Sequence, residues 1–90
     1  MTPDAAEILA LQALGFVAAD DDALNGLQAN TGIDQQTLRT RATELEILAG
    51  VLDYLLSDEA QLLVFCESVG IDPRLPARAR YVITGEEPYE

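Results

Sequence analysis

Apolar residues recur along this chain at the three- and four-residue intervals of amphipathic helices, and no segment alternates apolar and polar residues as a strand would. The pattern predicts six helices, over residues 3–19, 22–31, 35–42, 44–56, 58–69 and 76–83. The first is apolar on nearly every side between Ile8 and Ala19, which predicts a central position. We therefore predict an all-α fold, a compact bundle of about six helices.

Residues that favour helix starts and stops lie at these boundaries. Thr2 precedes Pro3, the order of a capping side chain and a first-turn proline. Gly32 and Gly70 are placed to end the second and fifth helices, since glycine readily adopts the left-handed conformation found there. Asp34 is placed to cap the third helix by accepting a hydrogen bond from a backbone N–H.

The second half of the chain carries similar signals. The segment 43–46, Thr-Glu-Leu-Glu, fits a capping box at the start of the fourth helix. Either Ser57 or Asp58 caps the fifth helix, and Val69 is expected to face inward at its end. Pro76 lacks the N–H of an interior helical position, so the last helix is predicted to begin only there.

The chain nearly repeats itself. Gly-Ile-Asp at 32–34 recurs at 70–72, and an offset of 38 residues gives six identities between 4–41 and 42–79. This predicts two three-helix pseudo-repeats sharing one core, in which helices 1 and 4 pack against each other. Gly15 and Gly50 lie inside those two helices, where glycine costs about 1 kcal/mol relative to alanine. Either close helix approach or simple surface exposure accounts for them.

The helical pattern ends before the chain does. Residues 1–83 are predicted to form a single helical domain, and residues 84–90 a flexible acidic C-terminal tail containing Gly85 and Pro88. The longest apolar run has 12 residues, too few to cross a bilayer. We expect a cytoplasmic protein with no membrane association, and the sequence is equally compatible with a monomer and a homodimer.

Charge narrows the classes of partner. Sixteen acidic residues face five arginines, no lysine and no histidine, for a net charge of −11. That balance argues against nucleic acid and anionic membranes, and it favours a basic partner or a well-solvated exterior. The absence of histidine removes the commonest general base and metal ligand. We therefore expect no enzyme activity, no catalytic residues and no cofactor.

Two features that could suggest chemistry are better explained by structure. Cys66 lies on the apolar stripe of the fifth helix with no histidine to activate it, so a buried core residue is expected. The acidic run 20–22 fails as a calcium loop, because Ala23 or Leu24 would occupy a ligand position. These carboxylates instead suit the start of the second helix, and no metal site is expected.

The five arginines are the candidate partner contacts. They fall on corresponding helices of the two pseudo-repeats or just before the last one: Arg39, Arg41, Arg74, Arg78 and Arg80. They could bind an acidic segment of an unknown protein partner. Alternatively, they complement helix dipoles and form ion pairs within the chain, as Arg41 could with Glu44.

Two further functions remain open. A helix, a Gly-Ile-Asp turn and an Arg-bearing helix fit a helix-turn-helix regulator, although the net charge of −11 and the Asp at the turn disfavour DNA contact. The acidic surface could also mimic DNA and occupy a basic protein. The principal expectation is a small non-enzymatic protein-interaction or adaptor module.

Several segments together resemble a known family. They are residues 11–20, 31–34, 51–59 and 65–67. They are similar to a domain of unknown function found in small, acidic, alanine- and leucine-rich alphaproteobacterial proteins of about this length. The resemblance implies an all-helical bacterial protein and brings no activity, cofactor or catalytic residue.

Overall fold

A computed structural model describes residues 1–85 of the chain, and it contains the six predicted helices with no strand in that range. Their bounds are α1 Pro3–Ala18, α2 Asp21–Thr31, α3 Gln35–Arg41, α4 Leu45–Ser57, α5 Glu59–Val69 and α6 Leu75–Thr84. The all-α bundle is therefore confirmed. Residues 86–90, most of the predicted acidic tail, lie outside the described residues.

Short polar side chains start four of these helices. Thr2 Oγ1 accepts the Ala5 N–H at 3.1 Å, and Asp20, Asp34 and Asp58 accept backbone N–H groups at 2.9, 2.8 and 3.2 Å. Each bond satisfies a donor that the first helical turn leaves without a partner. The predicted caps at Thr2 and Asp34 are confirmed, and Asp58 rather than Ser57 caps α5.

The capping box predicted at residues 43–46 is wrong. Glu44 is the N-cap residue of α4, and no side chain caps this helix. Both Glu44 carboxylate oxygens are instead bound by Arg41, at 2.7 and 2.8 Å. The helix begins one residue later than a box with Thr43 as the N-cap requires, and the charge-assisted pair with Arg41 occupies the Glu44 carboxylate at the position that is the N-cap instead.

Helices α1, α4 and α6 pack against one another and form the centre of the molecule. Helix α2 packs on α1 and α4, and α5 packs on α4. The predicted contact between helices 1 and 4 is confirmed, while the pseudo-repeat stays a prediction. The core is wholly apolar among the described residues, and its largest fully buried side chain is Phe65, whose ring centroid lies 5.4 Å from that of Phe16.

The two central glycines differ in their surroundings. A Cβ at Gly50 would lie 2.6 Å from Ile33 Cδ1, so the missing side chain lets Ile33 pack directly on α4. At Gly15 no atom lies within 4 Å of such a Cβ, and the residue is exposed. Close approach therefore accounts for Gly50 and surface exposure for Gly15.

Apolar residues at helix ends are less buried than their spacing predicted. Val69, the last residue of α5, is exposed rather than inward-facing, and Leu45, the first of α4, is half exposed. Spacing alone therefore overestimates burial in the terminal turns of these helices. Helix α6 begins at Leu75 with Pro76 in its first turn, one residue before the predicted start.

Candidate interaction surfaces

Two of the five arginines bind carboxylates close to them in sequence. Arg41 holds Glu44 through two hydrogen bonds, and the predicted ion pair between them is confirmed. Arg74 Nη2 and Nε lie 2.9 and 3.1 Å from the Asp72 carboxylate oxygens. The Arg74 side chain and backbone N–H together lower the pKa of Asp72 to about 2, and Arg41 lowers the pKa of Glu44 by the same kind of hydrogen bond.

Arg80 makes a longer-range connection. Its Nε and Nη2 donate to the two carboxylate oxygens of Asp53 on α4, the second at 3.2 Å. The Arg80 side chain is 27% exposed, so this ion pair lies at the margin of the α4–α6 contact. It joins two central helices and gives Arg80 a structural role.

Arg78 and Arg74 lie together beside the start of α6. They line a depression of about 330 Å³ with Asp72 and Leu75. The Asp72 carboxylate is already bound by Arg74, so this depression presents both charges rather than a purely positive surface. The structure thus brings two of the five predicted contact residues, Arg74 and Arg78, to one depression.

Arg39 differs from the other arginines. It is exposed on α3, and it makes no ion pair within residues 1–85. It lines an open groove of about 360 Å³ between α1, α2 and α3, which we call the Arg39 groove. The other lining residues are Leu14, Ala18, Leu24, Gln35, Leu38 and Ala42. A guanidinium thus stands beside a mostly apolar surface.

Two apolar patches are exposed away from the Arg39 groove. On α1, Ile8 is 59% and Leu11 39% exposed, and both line a depression with Asp4 and Glu7. On α5, Leu63 and Val64 are 45% and 57% exposed, and Val64 lines a depression between α5 and the end of α1. Large apolar side chains grouped in this way commonly mark interaction sites.

Cys66 is buried, as predicted, and its burial raises the pKa of the thiol. A raised pKa keeps the sulfur protonated at neutral pH and unreactive as a nucleophile. Asp20 is occupied in capping α2. No group of three potential metal-ligating side chains is found in residues 1–85. Over the same range, no helix is long and apolar enough to cross a membrane.

Residues 3–86 match the sequence family described as a protein of unknown function, DUF3572. The chain belongs to the DUF3572 family. The resemblance seen in the sequence is thus confirmed, while an alphaproteobacterial origin stays a prediction. No curated protein and no solved structure matches this DUF3572 chain.

Sequence reasoning named all five arginines but did not separate Arg39 from the rest. Nothing in the spacing places Leu14, Leu24 and Arg39 on one groove, since they come from three helices. The sequence also did not show which side of α1 is exposed, because apolar residues on nearly every side of a helix do not indicate which side faces the core. The one signal that could have indicated it is that Asp4 and Glu7 lie four residues before Ile8 and Leu11, respectively, on the same side of the helix.

Proposed function

We propose that this DUF3572 protein is a non-enzymatic protein-interaction module that binds an acidic segment of a partner protein in the Arg39 groove. The observation that carries the proposal is the position of Arg39, an arginine without an ion pair in residues 1–85, on a groove with apolar walls. Binding sites commonly combine an apolar surface with a few polar groups that fix orientation.

The groove defines the chemistry of its occupant. Leu14 and Leu24 are partly buried, and Leu38 is 4% exposed, so together they offer an apolar floor. A partner side chain such as leucine would gain by covering that floor. A carboxylate next to it would meet the planar donor fork of a guanidinium, which matches carboxylate geometry.

The remaining arginines support the choice of Arg39. Arg41, Arg74 and Arg80 each hold a carboxylate of this chain through two hydrogen bonds. A partner carboxylate would have to displace those hydrogen bonds, and losing them would reduce the favourable free energy of binding. Arg39 requires no such exchange with the described residues.

Two of the same ion pairs count against DNA binding as the function. Within the Gly-Ile-Asp turn and α6, Asp72 sits beside Arg74, and Arg80 is engaged by Asp53. A DNA-binding surface needs cations available to phosphates. The proposal also keeps the expectation of a cytoplasmic bacterial protein, which rests on the single cysteine and on the family resemblance.

The proposal can be tested with designed peptides and backbone amide NMR. The probe is an amphipathic peptide carrying leucines on one side and glutamates beside them, and its control has every glutamate replaced by glutamine. We expect the acidic peptide to shift the amide signals of Leu14, Leu24, Leu38 and Arg39 more strongly than the control does.

Arg39→Ala should weaken binding about two- to fivefold, the range of an exposed ion pair. Arg41→Ala is the matched control, because Arg41 lies on the same helix but binds Glu44, and it should leave the affinity unchanged. Equal binding of both peptides, or shifts confined to other surfaces, would refute the proposal.

A further inference from the structure

The outer side of α1 has the spacing of a coiled-coil seam. Ile8, Leu11, Gly15 and Ala18 follow one another at intervals of three, four and three residues, and all four are exposed. This is the spacing of the a and d positions along which two helices pack. We call the part formed by Ile8, Leu11 and Gly15 the α1 seam.

Gly15 gives the seam room for a second helix. Apart from Gly15, its chain neighbours and the adjacent backbone of α1, no described atom lies within 4 Å of the position of a Cβ there, so the surface is open at this point. Small residues on a helix surface let another backbone approach closely. Ile8 and Leu11 then supply the large apolar side chains, about two turns and one turn before the glycine, respectively.

Charge around the seam selects the class of partner. Asp4 and Glu7 line the same depression of about 330 Å³ as Ile8 and Leu11. The first 38 residues contain six carboxylates and no lysine or arginine, so this part of the chain offers no side-chain cation to balance them. Complementary potentials at an interface favour the matching partner and repel wrong ones.

We infer that the α1 seam docks a basic amphipathic helix of a partner protein, with its apolar residues against Ile8, Leu11 and Gly15 and its lysines or arginines beside Asp4 and Glu7. A second copy of this chain fits less well, because pairing α1 with itself in parallel would set these carboxylates against each other. Pairing it antiparallel would bring them towards the acidic run at residues 20–22.

This inference is separate from the Arg39 groove, since Ile8, Leu11 and Gly15 do not line that groove and the partner has the opposite charge. The two surfaces together would let one small domain bridge an acidic and a basic partner. Helix-in-groove recognition of this kind is read from apolar anchors spaced at three and four residues.

The test uses an 18-residue synthetic helix with leucines at a and d positions and lysines at the flanking positions, labelled for fluorescence anisotropy. Its control has the same composition in scrambled order, which keeps the charge and removes the apolar face. The full chain should bind the ordered peptide at least tenfold more tightly than the scrambled one, and added salt should weaken that binding.

Three variants decide whether the binding is at the seam. Leu11→Ser and Gly15→Leu should each weaken binding at least fivefold, the first by losing an anchor and the second by filling the open position. Leu63→Ser is the matched control, since it removes a similarly exposed leucine from α5. Circular dichroism confirms that each variant is folded.

Arg39→Ala should leave binding of the basic peptide unchanged. The proposal for the α1 seam can therefore fail while the proposal for the Arg39 groove holds, and the reverse. Equal affinity for ordered and scrambled peptides, or an affinity insensitive to Leu11→Ser and Gly15→Leu, would overturn the inference. So would a homodimer in sedimentation of the chain alone that Leu11→Ser dissociates, since a second copy would then occupy the seam.

Discussion

The Gly-Ile-Asp turn before α3 and the one before α6 have the same three residues and lead to different structures. Gly32 and Gly70 both adopt the left-handed conformation, with φ of 79° and 71°. Asp34 then caps α3 through the Thr37 N–H, whereas Asp72 holds Arg74 and α6 begins three residues later without a side-chain cap. The helices that follow also differ, since α3 buries only Leu38 and α6 packs against both α1 and α4.

In these turns the glycine has the same role in both copies, whereas the role of the aspartate is set by the residues that follow it. The glycine acts through its own backbone freedom, so its role is the same in both copies. The aspartate depends on the residues after it. Gln35 and Gln36 leave the Asp34 carboxylate to a backbone N–H, whereas the Asp72 carboxylate accepts both the backbone N–H and the guanidinium of Arg74. A short repeat in sequence therefore predicts where a helix ends more reliably than how the next one packs.

The largest expected effect comes from exchanging residues at corresponding positions of α3 and α6. Ala79 is fully buried between the central helices, and Arg41, its counterpart at the 38-residue offset, is exposed. Ala79→Arg should cost at least about 3 kcal/mol of unfolding free energy, because it buries a charge without a partner. Arg41→Ala should change stability little. Urea unfolding followed by circular dichroism measures both, and a stable Ala79→Arg protein would contradict the central position of α6.

The two turn glycines should respond alike. No atom lies within 4 Å of a Cβ at either position, so Gly32→Ala and Gly70→Ala introduce backbone strain without a clash. Each should cost about 1–2 kcal/mol. Gly15→Ala is the control, since Gly15 is exposed and helical and alanine should stabilise it by about 0.5–1 kcal/mol. Thermal unfolding of the three variants would show whether either turn carries an additional role.

A smaller effect concerns the isoleucine after each glycine. The Ile71 N–H donates to the Cys66 carbonyl at 3.0 Å, but the Ile33 N–H donates to Thr31 Oγ1 at 3.2 Å. Val69 stands where the first copy has Thr31, which explains why only one turn uses a hydroxyl. Thr31→Val should redirect the Ile33 N–H to the carbonyl of Gln28, the counterpart of Cys66, at a cost below about 1 kcal/mol.

The measurement for Thr31→Val is the scalar coupling across the new hydrogen bond, together with exchange protection of the Ile33 amide. Val69→Thr is the reciprocal variant, which offers the Ile71 N–H a hydroxyl in the second turn. An unprotected Ile33 amide in the Thr31→Val protein would mean that sequence at this one position does not explain the difference.

Local signals predicted most of the fold, and they failed where distant packing decides. Residues that cap or end a helix act within one helical turn, so the sequence was enough to predict their roles. They are Thr2 with Pro3, Asp34 and the turn glycines. Two contacts join residues that are distant in sequence, and no sequence pattern predicts them. Ile33 contacts Gly50 across 17 positions, and Arg80 pairs with Asp53 across 27. The Arg39 groove belongs to this second class, because three helices must meet before it exists.

The smallest effect on stability, and the sharpest contrast between the turns, lies in the two aspartates. The pKa of Asp34 is lowered chiefly by the Thr37 backbone N–H, whereas that of Asp72 is lowered to about 2 chiefly by the Arg74 side chain. Both pKa values lie below the ordinary 3.8, so each carboxylate stabilises the fold above about pH 3.8 and loses that contribution as the pH falls through its lowered pKa, which for Asp72 is about 2.

Arg74→Ala should therefore raise the pKa of Asp72 towards 3.8 and leave that of Asp34 unchanged, as measured by NMR titration of the side-chain carboxyl carbons. The acid-induced loss of stability contributed by Asp72 should shrink in the same variant, because the pKa of Asp72 in the folded state then lies closer to its unfolded value, with only the backbone N–H of residue 74 still lowering it. Thr37→Ala is the reciprocal variant: it keeps the backbone N–H that Asp34 accepts but removes the hydrogen bond from the Thr37 side chain, so it should raise the pKa of Asp34 and leave that of Asp72 unchanged. If Arg74→Ala raised the pKa of Asp34 as well as that of Asp72, the two turns would share an electrostatic environment. Their different hydrogen bonds would then not explain their different pKa values.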